Sequence, residues 1–233
     1  MKITILTLFP DMFVGPFNLS IIKKAKEKKL IEITVVDIRD FGVGKHKEVD
    51  NTIYGGGTGM IMRVDVLERA IISQRLPTLT KNQEKVFLLS ASGKKFAQSD
   101  IKKFTRLKHI ILVCGHYEGV DSRISSFIDE EISVGDFVVT GGELPAMLVT
   151  DAIVRTIPGV LKDSVTENES FSQKFKNRKG IFLEYPQFTK PREYKNIKVP
   201  KVLLSGDHKK ISEWRQKHAV NKTRSLRPDL IKE

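Results

Sequence analysis

The chain has 233 residues, 40% of them hydrophobic and one of them cysteine, and carries a formal charge of +12 at pH 7. That length buries a proper core in one large domain, or in a large one and a small one, while a lone cysteine, Cys114, excludes an intramolecular disulfide. The charge is uneven: residues 1–171 hold 23 Lys+Arg against 22 Asp+Glu, and residues 172–233 hold 17 against 6. A balanced body joined to a basic piece points to a polyanionic partner, nucleic acid first, ahead of an ordinary basic surface with no partner and of an anionic membrane.

In chain order, Lys2 to Leu8 reads as a strand closed by Phe9-Pro10, too short and too patterned to be a targeting segment. No later apolar run reaches membrane-spanning length, so a cytoplasmic protein is expected. Pro16 near a first turn, with Phe17, Ile21 and Ala25 at four-residue spacing, predicts a helix over about 16–29. Ile31 to Asp37 is the next strand. The segment 39–62 that follows is long and glycine-rich, ending in GGGTG (55–59), and reads as a working loop or a structural turn. It is no nucleotide-phosphate loop, because no Gly-Lys-Ser/Thr follows.

A helix is expected over about 65–75 and a strand over 86–89, with Ser90 to Gly93 as a turn beyond it. A short helix over 101–107 returns the chain to an all-apolar strand at 110–114. The next strand is expected to run from Ile132 to Thr140, into Gly141-Gly142 and a helix over about 143–156 that is apolar nearly all round. Strands alternating with helices predict an α/β fold with a mostly parallel, helix-covered sheet. Two strand ends breaking into glycine beside polar residues predict a ligand crevice at the carboxyl edge of that sheet. The polar, serine-rich stretch 161–176 reads as a flexible linker. Beyond it a basic domain, 177–233, carries a helix capped near Asp207 that runs through Trp214, followed by a second short helical segment.

The histidines at 46, 109, 116, 208 and 218 are dispersed, zinc-ligand spacing is absent, and no GxSxG occurs. Glu118, Asp121, Glu143 and Glu169 are the acids at glycine or linker positions, each equally readable as a cap or a surface charge. An enzyme acting on nucleic acid leads, with a non-catalytic RNA-binding protein as its rival.

The pieces LFPDMF (8–13), Arg39-Asp40-Phe41, YGGGTGM (54–60), LVCGHYEGVDSR (112–123), IDEEISVGDFVVTGGELPAM (128–147), IPGVL (157–161), LLSGDH (203–208) and RPDL (227–230) stand in this order along the chain. On these motifs the chain resembles the bacterial tRNA (guanine-N1) methyltransferases, of the knotted class that uses S-adenosylmethionine. This resemblance implies a deep trefoil knot within a catalytic domain, 1–160, and a small, mainly helical tRNA-binding domain at the C-terminus. It implies a homodimer with composite active sites and no membrane partner.

For the methyl donor the resemblance implies a pocket of Leu89, Ser90, Gly115, Tyr117, Gly119, Ile132, Gly135, Phe137, Val139, Gly141, Gly142 and Leu144. It implies methyl transfer to N1 of the guanosine just 3′ of the anticodon. The carboxylate before Ser170-Phe171, Glu169 where the family has aspartate, is the implied base; Arg155 stabilises charge growing at O6, and Glu118 contacts guanine or the donor amine. Magnesium assistance is implied too, though no compact carboxylate cage is legible. His116 replaces a more usual arginine, and Lys190 in Phe188-Thr189-Lys190-Pro191 replaces another. A related knotted RNA methyltransferase with another acceptor, or a non-catalytic RNA-binding homologue, are the competing readings.

Overall fold

The computed structural model describes residues 1–162, 165–173, 175 and 179–231. Strand β1 (Lys2–Thr7) leads into a 3-10 turn at Pro10–Phe13 and two short helices, α1 (Val14–Phe17) and α2 (Ser20–Glu27). Strand β2 (Glu32–Asp37) follows, then a small hairpin of β3 (Asp50–Thr52) and β4 (Met60–Met62), and helix α3 (Val64–Gln74). Strand β5 (Glu84–Lys95), the short α4 (Ile101–Phe104), strand β6 (His109–Cys114), strand β7 (Glu130–Ser133) and helix α5 (Glu143–Val154) complete the series. These elements lie within one compact unit, Met1–Leu161; a second unit spans Lys162–Glu233.

β1, β2, β5, β6 and β7 form a single sheet in the order β2-β1-β6-β5-β7, and every pairing is parallel. Because successive side chains point to opposite faces, β6 feeds two cores. Ile110 and Leu112 pack with Ile3, Ile5 and the apolar sides of α2 and α5, whereas Ile111 and Val113 pack with Val86, Leu88 and α3. All six β6 residues are buried, so truncating Ile111 or Leu112 to alanine would cost about 2–5 kcal/mol. At the amino end of the sheet, buried His109 binds Thr4 Oγ1 at 2.8 Å and Glu84 Oε2 at 2.7 Å, tying β6 to both neighbouring strands.

Four sequence expectations change. The helix over 16–29 is two pieces, because the chain turns at Leu19, whose backbone is extended, and Ser20, whose φ is 53°. The 39–62 loop holds a 3-10 turn at Ile38–Phe41 and the β3–β4 hairpin, whose three-residue strands are too short to give a periodic signal. Strand β5 continues to Lys95 through a register shift between Leu89 and Lys94, where Gly93 lets it approach β7: a Cβ there would lie 2.6 Å from the Glu131 carbonyl carbon. Strand β7, expected to reach Thr140, ends at Ser133. Ser133 Oγ there accepts from Gly135 N and donates to Gly135 O, closing a turn in place of the ladder.

In the second unit a hairpin of β8 (Glu193–Tyr194) and β9 (Ile197–Lys198) precedes helix α6 (His208–Leu226). Asp207 caps α6 by accepting from Lys210 N, as expected, but the helix runs on past Trp214 without a break. No glycine or proline interrupts it, and Ala219, Val220 and Thr223 form a buried stripe. Thr223 Oγ1 accepts from Leu183 N at 2.9 Å, fixing the neighbouring chain to the helix.

The described part of the 161–176 segment is also bonded within this unit: Phe171 N donates to Phe182 O at 3.0 Å and Glu184 N to Ser170 Oγ at 3.0 Å. Residues 163, 164, 174 and 176 of that segment lie outside the described residues. Among the described residues no helix is long and apolar enough to cross a membrane.

Candidate active site

A cavity of about 480 Å³ opens at the carboxyl ends of β6 and β7, beside the register shift in β5, the edge at which parallel α/β sheets bind ligands. Its first wall is the middle of β5, with Leu88, Leu89 and Ser90. Its second is the turn after β6. There Tyr117 adopts φ 60° and Gly119 φ 128°, conformations that place backbone groups where an ordinary strand exit would not.

Its third wall is the segment between β7 and α5, which lies directly on the end of β6. Gly142 N donates to Gly115 O at 2.8 Å. A Cβ on Gly142 would sit 2.6 Å from Cys114 Cα, so only hydrogen fits there. The apolar residues expected to continue β7 line the cavity instead: Phe137, Val138 and Val139 are 58%, 87% and 38% exposed. A valine-rich run spells strand propensity whether its side chains face a core or an open crevice, which is why the sequence overextends this strand.

The hairpin of the glycine-rich loop braces the second wall. Glu118 N donates to Met60 O, Met62 N to Gly119 O, and Asp121 N to Met62 O, all at 2.9–3.1 Å. Gly59 lies so close to the Glu118 side chain that a Cβ there would come 2.4 Å from Cγ. The GGGTG run thus backs a cavity carboxylate on one side, while Gly55 and Gly56 have nothing within 4 Å of a would-be Cβ.

Of the residues expected at a donor pocket, all but Leu144 line this cavity, as does Glu118; Leu144 lies in the first turn of α5 and is 55% exposed. Arg155 is the C-cap residue of α5 in the first unit, where a cation also suits the helix dipole. Glu169 belongs to the second unit, its carbonyl accepting from Ser172 N at 3.1 Å.

Asp121 and Glu143, the other acids singled out in the sequence, do not line the cavity. Asp121 caps a 3-10 turn and pairs with Arg123 at 2.6 Å, and hydrogen bonding to that guanidinium holds its carboxyl below the usual range. Glu143 is buried and accepts from Thr7 Oγ1 at 2.8 Å. Cys114 is no candidate nucleophile: burial, with the Glu143 charge acting in the same direction, pushes its thiol well above the ordinary value.

Sequence reasoning missed Glu131 and placed Ser92 only as part of the 90–93 turn beyond the strand. Ser92 Oγ donates to Glu131 Oε2 at 3.1 Å on the cavity wall. Alternation along Glu130–Ser133 is the signal that could have found Glu131, since it must face away from buried Ile132. Among the described residues the cavity's charge has one sign: Glu118 and Glu131 line it, and no lysine or arginine does. Such a site suits a cationic ligand with an apolar body and opposes a phosphorylated one.

Over its whole length, residues 1–233, the chain matches the family described as tRNA (Guanine-1)-methyltransferase TrmD. The chain belongs to this family. Among relatives called tRNA (guanine-N(1)-)-methyltransferase, that of Dictyoglomus turgidum is 49% identical over 99% of this chain and 90% of its own length. Those of Carboxydothermus hydrogenoformans and Mycoplasmopsis synoviae are 47% and 48% identical, over 100% and 99% of this chain and 88% and 97% of theirs.

The family's methyl donor is S-adenosylmethionine, and the apolar walls and two carboxylates of the cavity fit a ligand with a sulfonium centre. Among the described residues no group of three His, Cys, Asp or Glu side chains could hold a metal ion.

Proposed function

We propose that this chain transfers a methyl group from S-adenosylmethionine to N1 of guanosine in tRNA, at the position just 3′ of the anticodon. The observation that carries the reading is the cavity beside the middle of β5 and the ends of β6 and β7, walled by backbone turns and apolar side chains and bearing Glu118 and Glu131 and, among the described residues, no lysine or arginine. When bound, S-adenosylmethionine supplies an electrophilic methyl on a sulfonium, which leaves as a neutral thioether once the N1–C bond forms.

The chain's own groups do the rest. N1 of guanine holds a proton and attacks poorly, so the Glu169 carboxylate removes that proton as the bond forms. Negative charge then grows toward O6, and the Arg155 guanidinium stabilises it. Glu118, braced by the β4 strand, fixes the guanine edge or the donor amine. The apolar walls exclude water, which strengthens these charges in the transition state. The basic second unit holds tRNA phosphates and sets the register of the target base.

Two features of assembly belong to the same reading. The laying of 134–142 across the end of β6, closed by the Gly142–Gly115 bond, supports a trefoil knot in the first unit. Leu144 and Leu148 lie one turn apart on α5, 55% and 50% exposed, and support a dimer with composite sites. No magnesium step is part of the proposal. A cytoplasmic location follows from the tRNA substrate.

Incubation with isotopically labelled methyl donor and unmodified tRNA transcript, followed by nucleoside analysis, tests the proposal. N1-methylguanosine next to the anticodon is expected. A methylated ribose, or no methylated guanosine, would overturn it.

A further inference from the structure

The second unit has a cavity of its own, about 410 Å³, formed between the 185–192 segment, Val199, and the Leu203–Ile211 end of α6 and its approach. Its walls combine two kinds of group. Tyr185 and Phe188 supply aromatic rings, backed by Val199, Leu203, Leu204 and Ile211; Lys190, Arg192 and Arg215 supply three cations. Among the described residues no carboxylate lines it.

Of the acids close by in sequence, Glu193 pairs with Lys198 at 3.5 Å and Asp207 with Lys210 at 3.1 Å, while Glu184 accepts from Gln187 of the cavity wall. The Arg215 guanidinium stands 4.9 Å from the centre of the Tyr185 ring, leaving its charge at the apolar wall. Phe188 is held edge-on to Trp214 at 6.2 Å, which in turn stacks on His218 at 3.8 Å, yet Phe188 remains 46% exposed.

From this juxtaposition we propose that the cavity takes a single unpaired nucleotide of the bound RNA, its base against Phe188 and Tyr185 and its phosphate on Lys190 and Arg192. The inference rests on tRNA being the substrate and adds a second, non-catalytic subsite for it. A purely phosphate-binding surface would need no aromatic wall. A peptide groove of this apolar character would not be ringed by three cations without a single acid. Base stacking on an aromatic face combined with cations along the backbone is the combination by which single-stranded nucleic acid is held, and the volume falls in the range of small-ligand sites.

The test uses the full chain and an unmodified tRNA transcript, with affinity measured across a salt series for wild type, F188A, F188L and R192A. F188L keeps an apolar group against Trp214 but removes the ring face. Far-UV circular dichroism and thermal melting of each variant report that the second unit's fold is intact. Stacking is worth roughly tenfold in affinity per base and does not release counterions, so both Phe188 variants should bind tRNA about tenfold more weakly with the salt slope unchanged. R192A should weaken binding and reduce that slope by about one. Wild-type protein that binds no tRNA would overturn the function on which the proposal rests. Tight tRNA binding that F188L leaves at the wild-type value would overturn the nucleotide pocket alone.

Discussion

Glu169 and Gly142 carry opposite kinds of constraint, one chemical and one steric. In the proposed reaction Glu169 removes the N1 proton, and a positioned base of this kind contributes about 10²–10⁴ in rate. E169Q keeps size and hydrogen-bonding shape but cannot take up the proton. Single-turnover methylation by E169Q should fall at least 100-fold while donor affinity, read by calorimetric titration, stays at the wild-type value. Unchanged turnover would remove Glu169 from the chemistry. Gly142 does no chemistry, but a methyl group there would meet backbone, with Cys114 Cα at 2.6 Å and Gly115 N at 2.9 Å. Backbone cannot rotate away as a side chain can, so G142A should cost about 1–3 kcal/mol. That corresponds to a fall in Tm of roughly 2–4 °C per kcal/mol for a chain of this size. It should also weaken donor binding, because the shift separates two walls of the cavity. A variant that melts and binds like wild type would show that the two loops are not locked together.

Among the elements, those with strong periodicity were legible in the sequence and those made by long-range contact were not. The all-apolar β6 run could hardly be anything but a central strand, and Asp207 marked the start of α6 because a short acceptor before a polar helix caps it. The extent of β7 was not legible, since whether Phe137 to Val139 face a core or a crevice depends on where β5 and β6 end. Nor could the sequence tell that Met60 and Met62 hold the Glu118 turn, a contact spanning nearly 60 residues. The pocket positions beside glycine emerged from the motifs; Glu131 and Ser92, which meet across β5 and β7, required the strand register.

The same long-range logic hides the His109 tie, which joins β6 to Thr4 on β1 and Glu84 on β5. Burial lowers the pKa of this imidazole more than the Glu84 charge raises it. In the unfolded chain the ring titrates at about 6.5. Between that value and the lower folded one, the unfolded state binds more protons, so stability falls as pH falls through this window. Thermal melts from pH 7.5 to 5 should show a declining Tm for wild type and a shallower decline for H109Q. Parallel declines would mean that other groups set the acid sensitivity.

At the scale of the whole molecule, charge divides the labour. The 62 residues from 172 onward hold 17 Lys+Arg against 6 Asp+Glu, whereas the rest of the chain is nearly balanced and, among the described residues, the only acids or bases of fixed charge lining its cavity are Glu118 and Glu131. A polyanion held by many lysines and arginines releases counterions on binding, so its affinity falls steeply with salt; a protein making 6–10 phosphate contacts loses about 10³–10⁵ between 50 and 200 mM. A small cationic donor in an apolar cavity with two carboxylates releases almost none. Raising salt over that interval should therefore weaken tRNA binding by well over tenfold and leave donor affinity within about twofold. The two curves separate the functions without any mutation. If donor binding fell as steeply as tRNA binding, the donor would have to sit on the basic surface. If tRNA binding were flat, the excess positive charge of the second unit would not be what holds the substrate.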